Sequence, residues 1–191
     1  MGTVTERLSP RAREILAAAR ELLEEEGAEG LSMRSLGERL GIKAPSLYKH
    51  FPSKESLQAM LISIGFEEQA GLFEATLRDS PEPLVAMARA YRDYAIRNPQ
   101  LYRLMYDSPL NRPLLVPGTE DAAAAPSLQA AGGDEDLARA AWAFAHGMTT
   151  LELNARFSEG ADVDAAWRRG IELLQAAARK GKRRPRKRGE V

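Results

Sequence analysis

Apolar residues recur at intervals of three and four along most of this chain, and no stretch alternates long enough to predict a strand. The pattern predicts an all-α protein. The first helix opens at Ser9-Pro10, a capping serine followed by a proline that suits the first helical position. Ala12, Ile15, Leu16, Ala19, Leu22 and Leu23 form its inner face, and Gly27 is placed to end it near Glu26. Ser32 caps a short second helix, Met33 to Leu40, closed by Gly41, with Ile42 set to pack back on Leu36. A third short helix is expected from about Ala44 to His50, with Pro45 in its first turn, where a missing N–H costs nothing. Ser53 then caps a long fourth helix reaching Leu77. Further helices are expected after Ser80-Pro81 to Asn98, and from Pro99 to about Asp107. Residues 108–133, broken by Pro109, Pro113, Pro117 and Pro126, read as a long loop with room for one short helix. Two last helices follow, Asp134 to Ser158 and Asp162 to Lys180.

The segment from Met33 to Phe51 carries the strongest chemical signal. Two short helices joined by a glycine turn make a helix-turn-helix. Leu36, Leu40, Ile42 and Leu47 point inward in this plan. Lys43, Ala44, Ser46 and Lys49 face out, short enough to enter a major groove and polar enough to meet base edges. Five basic residues (Arg34, Arg39, Lys43, Lys49, Lys54) stand between Ser32 and Lys54 against one acid, Glu38. Lys54 falls in the first turn of the fourth helix, where the helix dipole disfavours a cation. A DNA phosphate bound at that helix start would resolve the conflict.

The run from Leu36 to Leu57, with Leu-Tyr-x-His-Phe at residues 47–51 and Ser-Lys-Glu-x-Leu at 53–57, resembles the TetR family of bacterial repressors. The resemblance covers about residues 9 to 60. Gly37 and Leu40 stand where many members have alanine, and both read as tolerable core variations. The resemblance implies a DNA-facing set of Lys43, Ala44, Pro45, Ser46 and Lys49. It implies phosphate contacts from Tyr48, His50 and Lys54, and a phosphate or groove-edge contact from Arg34. Without it, Tyr48 and His50 would read as core fillers and the lysines as a solvated face.

The family's remaining helices bind a ligand and form a dimer. Tyr91, Tyr94, Tyr102 and Tyr106, with Met105 among them, read equally well as a pocket lining or as ordinary packing with the phenol tips in water. Trp142, His146 and Gly147 resemble a C-terminal type named for tryptophan, histidine and glycine. Trp142 and His146 are four residues apart and share a helix face. His146 reads as a ligand contact or, more simply, as a core histidine with its hydrogen bonds satisfied. Two apolar stripes, Leu137, Ala141, Phe144, Ala145, Met148 and Leu151, then Val163, Trp167, Ile171, Leu174 and Ala178, fit a four-helix dimer seam. The same spacing fits a core within one chain.

These readings divide the chain into a DNA-binding domain at residues 1–53, a ligand-binding and dimerisation domain at 54–180, and a disordered basic tail at 181–191. The formal net charge is zero, yet residues 179–191 hold eight Lys or Arg and one Glu. That tail is a solvated terminus or adds non-specific DNA affinity. The chain has no cysteine, which excludes disulfides and thiol chemistry. Nothing at Met1 to Glu6 resembles a secretory signal, and no apolar run approaches a membrane span. A cytoplasmic protein is expected, with no cofactor and no metal. A nucleotide loop, a zinc-protease helix and a serine elbow are all missing, so an enzyme is not expected. The partners expected are double-stranded DNA, a second copy of the chain and a small-molecule effector that releases the DNA. The alternative is a helical ligand- or protein-binding module without an operator.

Overall fold

A computed structural model describes residues 3–181, and side chains as far as residue 176. The stretch 182–191, which holds nearly all of the expected basic tail, and the side chain of Ala178 lie outside the described residues. Among the described residues every regular element is helical. They are α1 (Pro10–Gly30), α2 (Met33–Arg39), α3 (Ala44–Leu47), α4 (Lys54–Leu77), α5 (Pro83–Arg97), α6 (Pro99–Tyr106), α7 (Thr119–Ala130), α8 (Glu135–Leu153) and α9 (Val163–Gly181), with 3-10 turns at Thr5–Arg7 and Arg112–Leu114. The chain folds as two compact units. Among the described residues, one comprises 3–71 with 94–123, the other 72–93 with 124–181.

In the first unit, α1 packs on α2 and α6. The Ser9 hydroxyl accepts from the Ala12 N–H, and Ile15, Leu16, Ala19, Leu22 and Leu23 are buried on the expected face. Gly27 does take a left-handed φ of +72°, but the chain kinks there and makes one more turn to Gly30. Close approach of α6 to α4 depends on Gly65, where a Cβ would come within 2.7 Å of the Met105 sulfur and 3.0 Å of Leu101. In the second unit α8 packs on α9. The Phe144 ring lies directly against Gly170 and meets Trp167 edge-on at 5.5 Å. Arg92 ties this unit together. Its guanidinium pairs with Glu152 and Asp164, both at 2.6 Å, and stacks 5.6 Å from the Trp167 ring.

Two expectations are revised by the structure. The segment 108–133, read as a long loop with room for one short helix, holds one helix, but α7 runs for twelve residues and passes through Pro126. Alanines 122–125 are the best helix formers, Glu120 and Asp121 favour the start, and Pro126 is fully buried, so packing offsets its lost hydrogen bond. Helix α8 stops at Leu153 rather than Ser158. Ala155 adopts φ +50°, and the Arg156 N–H turns back to the Leu151 carbonyl at 2.9 Å, a Schellman-type stop without glycine.

Candidate nucleic-acid interface

The helix-turn-helix is built from caps and one tight turn. Ser32 and Ser35 cap α2 reciprocally, each hydroxyl taking the other's backbone N–H at 3.0 Å. At the far end the Ile42 N–H bonds to the Gly37 carbonyl at 2.9 Å and the Gly41 N–H to the Glu38 carbonyl at 3.2 Å. Gly41, at φ +63°, supplies the left-handed residue that this Schellman turn needs. The turn also constrains Gly37, which the sequence alone presents as a tolerable variation. A Cβ there would fall 2.8 Å from the Ile42 carbonyl oxygen, so alanine would displace the backbone between the two helices.

Leu36 and Leu47 are fully buried and fix α3 against the unit, while Leu40 and Ile42 are half-buried. The α-helical part of α3 is shorter than expected, Ala44–Leu47, because the chain tightens into turns at Tyr48–His50. The Phe51 N–H still reaches the Leu47 carbonyl at 2.9 Å, and Phe51 is buried. Around buried Leu47, the residues Lys43, Pro45, Ser46, Tyr48, Lys49 and His50 are all exposed, and only Ala44 is half-buried. Tyr48 is 49% exposed, so the core-filler reading of Tyr48 and His50 is excluded.

The cations of the segment divide into two groups. Arg39 pairs with Glu25 and Glu21 on α1, and the Glu25 hydrogen bond raises its pKa. Arg34 is exposed but pairs with Glu38 at 2.9 Å. Lys54 donates to the Ala28 carbonyl at 2.9 Å. That contact answers the conflict seen at its helix start. The ammonium lies against the C-terminal turn of α1, where a helix dipole favours a cation, so a phosphate is not needed to explain it. Lys43 and Lys49 form no ion pair among the described residues.

The seven candidate pocket residues separate. In the first unit Tyr102 and Met105 are buried, the Tyr94 hydroxyl donates to Glu68 at 2.8 Å, and the Tyr106 hydroxyl donates to Gln69 at 2.8 Å. Burial pushes the Tyr94 phenol pKa up, and the neighbouring Glu68 carboxylate adds to the shift. Those four residues build packing. In the second unit Tyr91 and Trp142 help line a narrow apolar cleft with an open volume of only about 40 Å³, with Leu84, Met87, Phe144 and Ile171. His146 stacks on Trp142 at 5.9 Å and lies 3.5 Å from the Tyr91 hydroxyl. Among the described residues no charged side chain lines the cleft. The sequence did not single out Leu84, Phe144 or Ile171 for the cleft, because they come from three helices distant in the chain.

The stripes offered as a dimer seam are mostly used within the unit. Leu137, Ala145, Trp167 and Ile171 are buried. Leu151, the last residue of the first stripe, is exposed, as is Trp142; Ala140 and Ala143 are exposed in line with Leu151 on α8, beside half-buried Gly147, and Ala166, Leu173 and Ala176 are exposed on α9. A Cβ on Gly147 would meet nothing within 4 Å. Among the described residues no helix is long and apolar enough to cross a membrane, and no group of acidic or histidine side chains could hold a metal.

Comparison with known proteins agrees along the chain. Residues 15–59 match the profile of bacterial regulatory proteins of the tetR family, and residues 84–174 match a Tetracyclin repressor-like C-terminal domain. The chain is 32% identical over 103 residues to the uncharacterised HTH-type transcriptional regulator YobS of Bacillus subtilis (strain 168), covering 50% of this chain and 53% of that one. It spans about half the length of the first curated relatives it matches, 53% and 43%. In fold it is similar to the regulatory protein SCO4313, with a TM-score of 0.74, 23% identity, and 87% and 95% of the two chains covered. It is also similar to a single-residue variant of TetR from Acinetobacter baumannii AYE in complex with minocycline, with a TM-score of 0.64, 23% identity, and 91% and 98% covered.

Proposed function

This chain belongs to the tetR family of bacterial regulatory proteins, and from that premise we propose that it is a DNA-binding transcriptional regulator acting as a homodimer. The observation that carries the reading is the exposed ring of Lys43, Pro45, Ser46, Tyr48, Lys49 and His50 around buried Leu47. Buried Leu36 and Leu47 hold the ring in place, and the polar groups project into solvent at the scale of a major groove. Lys43, Ala44, Pro45, Ser46 and Lys49 face the bases. Tyr48 and His50 reach phosphates, and Arg34 and Lys54 join them by exchanging Glu38 and the Ala28 carbonyl for a phosphate.

The second copy docks through α8 and α9. Their exposed small-residue rows, centred on Gly147 and Leu173, let two pairs of helices approach closely. Two heads related by a two-fold axis then read an inverted repeat with half-sites about one DNA turn apart. A small molecule enters the apolar cleft beside Tyr91, Trp142 and His146 and favours a head spacing that no longer fits both half-sites, releasing the DNA. Minocycline bound to the Acinetobacter protein supports a small-molecule effector for this chain. Cytoplasmic location and repression follow the same reading.

Selection of duplexes from a random pool by the purified protein tests it. The reading expects recovered sequences to converge on an inverted repeat. A pool that remains unenriched, or one that converges on a single unpaired half-site, contradicts it.

A further inference from the structure

Helix α6 is not capped by its own N-cap residue. Asn98 occupies that position, and an asparagine there ordinarily accepts from the N–H groups two and three residues on. It makes no such bond. Its side-chain oxygen takes a hydrogen bond from the Arg20 guanidinium at 2.8 Å, and its amide nitrogen donates to the Tyr94 carbonyl at 2.9 Å. The cap comes instead from Glu24, on α1. The Gln100 N–H donates to one carboxylate oxygen at 3.1 Å and the Leu101 N–H to the other at 3.0 Å. These are the second and third residues of α6, the donors that Asn98 would otherwise have served.

Arg20, one turn before Glu24, completes the arrangement. It lies 3.6 Å from Glu24 and 3.5 Å from Glu68 of α4, whose carboxylate also receives the Tyr94 hydroxyl at 2.8 Å. A negative carboxylate at a helix start is stabilised by the dipole as well as by the two hydrogen bonds. The effect is directional. Glu24 can keep both bonds only while α1 holds one position along α6.

We infer that Glu24 and Arg20 are positioning residues for DNA binding, a cap given by one helix to another that sets where α1, and the helix-turn-helix packed on it, stands against α6. The inference rests on the DNA-binding reading above. Each head contacts one half-site by itself, but both engage together only when their spacing fits the duplex. Losing the cap therefore lowers affinity for two half-sites and spares affinity for one.

The test compares the wild-type chain, Glu24→Ala, Glu24→Gln and the double variant Glu24→Ala with Arg20→Met. The double variant frees the Asn98 oxygen to cap α6 locally, so helix stability is restored while the link to α1 is lost. Glu24→Gln keeps one of the two acceptor oxygens and removes the charge, and is used if the alanine variant folds poorly. Binding is read on the selected inverted-repeat duplex and on a duplex carrying one half-site, beside thermal unfolding. The double variant is expected to unfold close to wild type and bind one half-site within about twofold, but bind the full repeat about tenfold or more weakly. Amide exchange at Gln100 and Leu101 should speed up in Glu24→Ala. Full-repeat binding by the double variant at wild-type strength, or an equal loss on both duplexes, overturns the inference and leaves the DNA-binding reading standing. A wild-type chain that selects no duplex refutes both.

Discussion

The third helix and the tyrosine-rich stretch from residue 91 to residue 106 are both short runs of conspicuous side chains, and the structure uses them in opposite ways. Around Leu47 the polar and aromatic groups point out. Tyr48 is 49% exposed, and Lys43 and Lys49 have no ionic partner among the described residues. Along α5 and α6 the groups point in. Tyr91, Tyr94 and Tyr102 are buried, and the hydroxyls of Tyr94 and Tyr106 end on Glu68 and Gln69. An exposed tyrosine with no structural duty is available to a ligand, whereas a buried one that satisfies a neighbour's hydrogen bond is holding the fold. The same residue type therefore predicts opposite phenotypes in the two places.

Tyr48→Ala should give the largest effect. DNA affinity should fall about tenfold or more if its hydroxyl meets a phosphate, while stability to denaturant should shift by no more than about 0.5 kcal/mol. A loss of stability comparable to the loss of binding would place Tyr48 in the core and erase the contrast. Tyr106→Phe is the mirror experiment. It removes the donor to Gln69, a residue 1% exposed whose amide nitrogen already lacks a partner among the described residues. Unfolding should become easier by about 1–3 kcal/mol, with ligand binding in the cleft unchanged. A variant with unaltered stability but altered ligand affinity would return Tyr106 to the pocket.

How much of this is legible in the sequence follows from the same contrast. The helix-turn-helix can be read because its determinants are neighbours: Ser32 caps Ser35, Gly41 turns the chain, and Leu47 anchors the residues beside it. Arrangements between distant segments cannot be read that way. Glu24 lies 76 residues before Gln100, so nothing local marks it as a helix cap, and it passes for part of a polar helix end. The sequence places Lys54 correctly on its helix, but its partner, the Ala28 carbonyl, lies 26 residues back. The dimer stripes have the right period, but spacing does not say which of two adjacent rows another helix of the same chain will cover. Pro126 misleads for a further reason, since proline punctuates a chain locally while its burial in α7 is a tertiary effect.

The smallest expected effect concerns acid. Arg92 holds the Asp164 carboxyl below the usual aspartate range, through a hydrogen bond first and its charge second. A carboxyl with a lowered folded-state pKa adds stability above its unfolded pKa, near about 4, and loses it as pH falls through the lowered value. The stability difference between wild type and Asp164→Asn should thus be present at neutral pH and vanish in strong acid. Because Asp164 is exposed, the difference should be small and should shrink with salt. A difference that grew in acid would contradict the pairing.

The central claim, that a basic and largely unpartnered helix surface docks on duplex phosphates, is tested most directly by the salt dependence of binding to the selected duplex. Lys43 and Lys49 from two heads give a log–log slope of about −4, rising towards about −7 if Arg34 and Lys54 leave their partners for phosphates. A slope within that range is the predicted result. Affinity that stays flat as salt is raised would contradict the account.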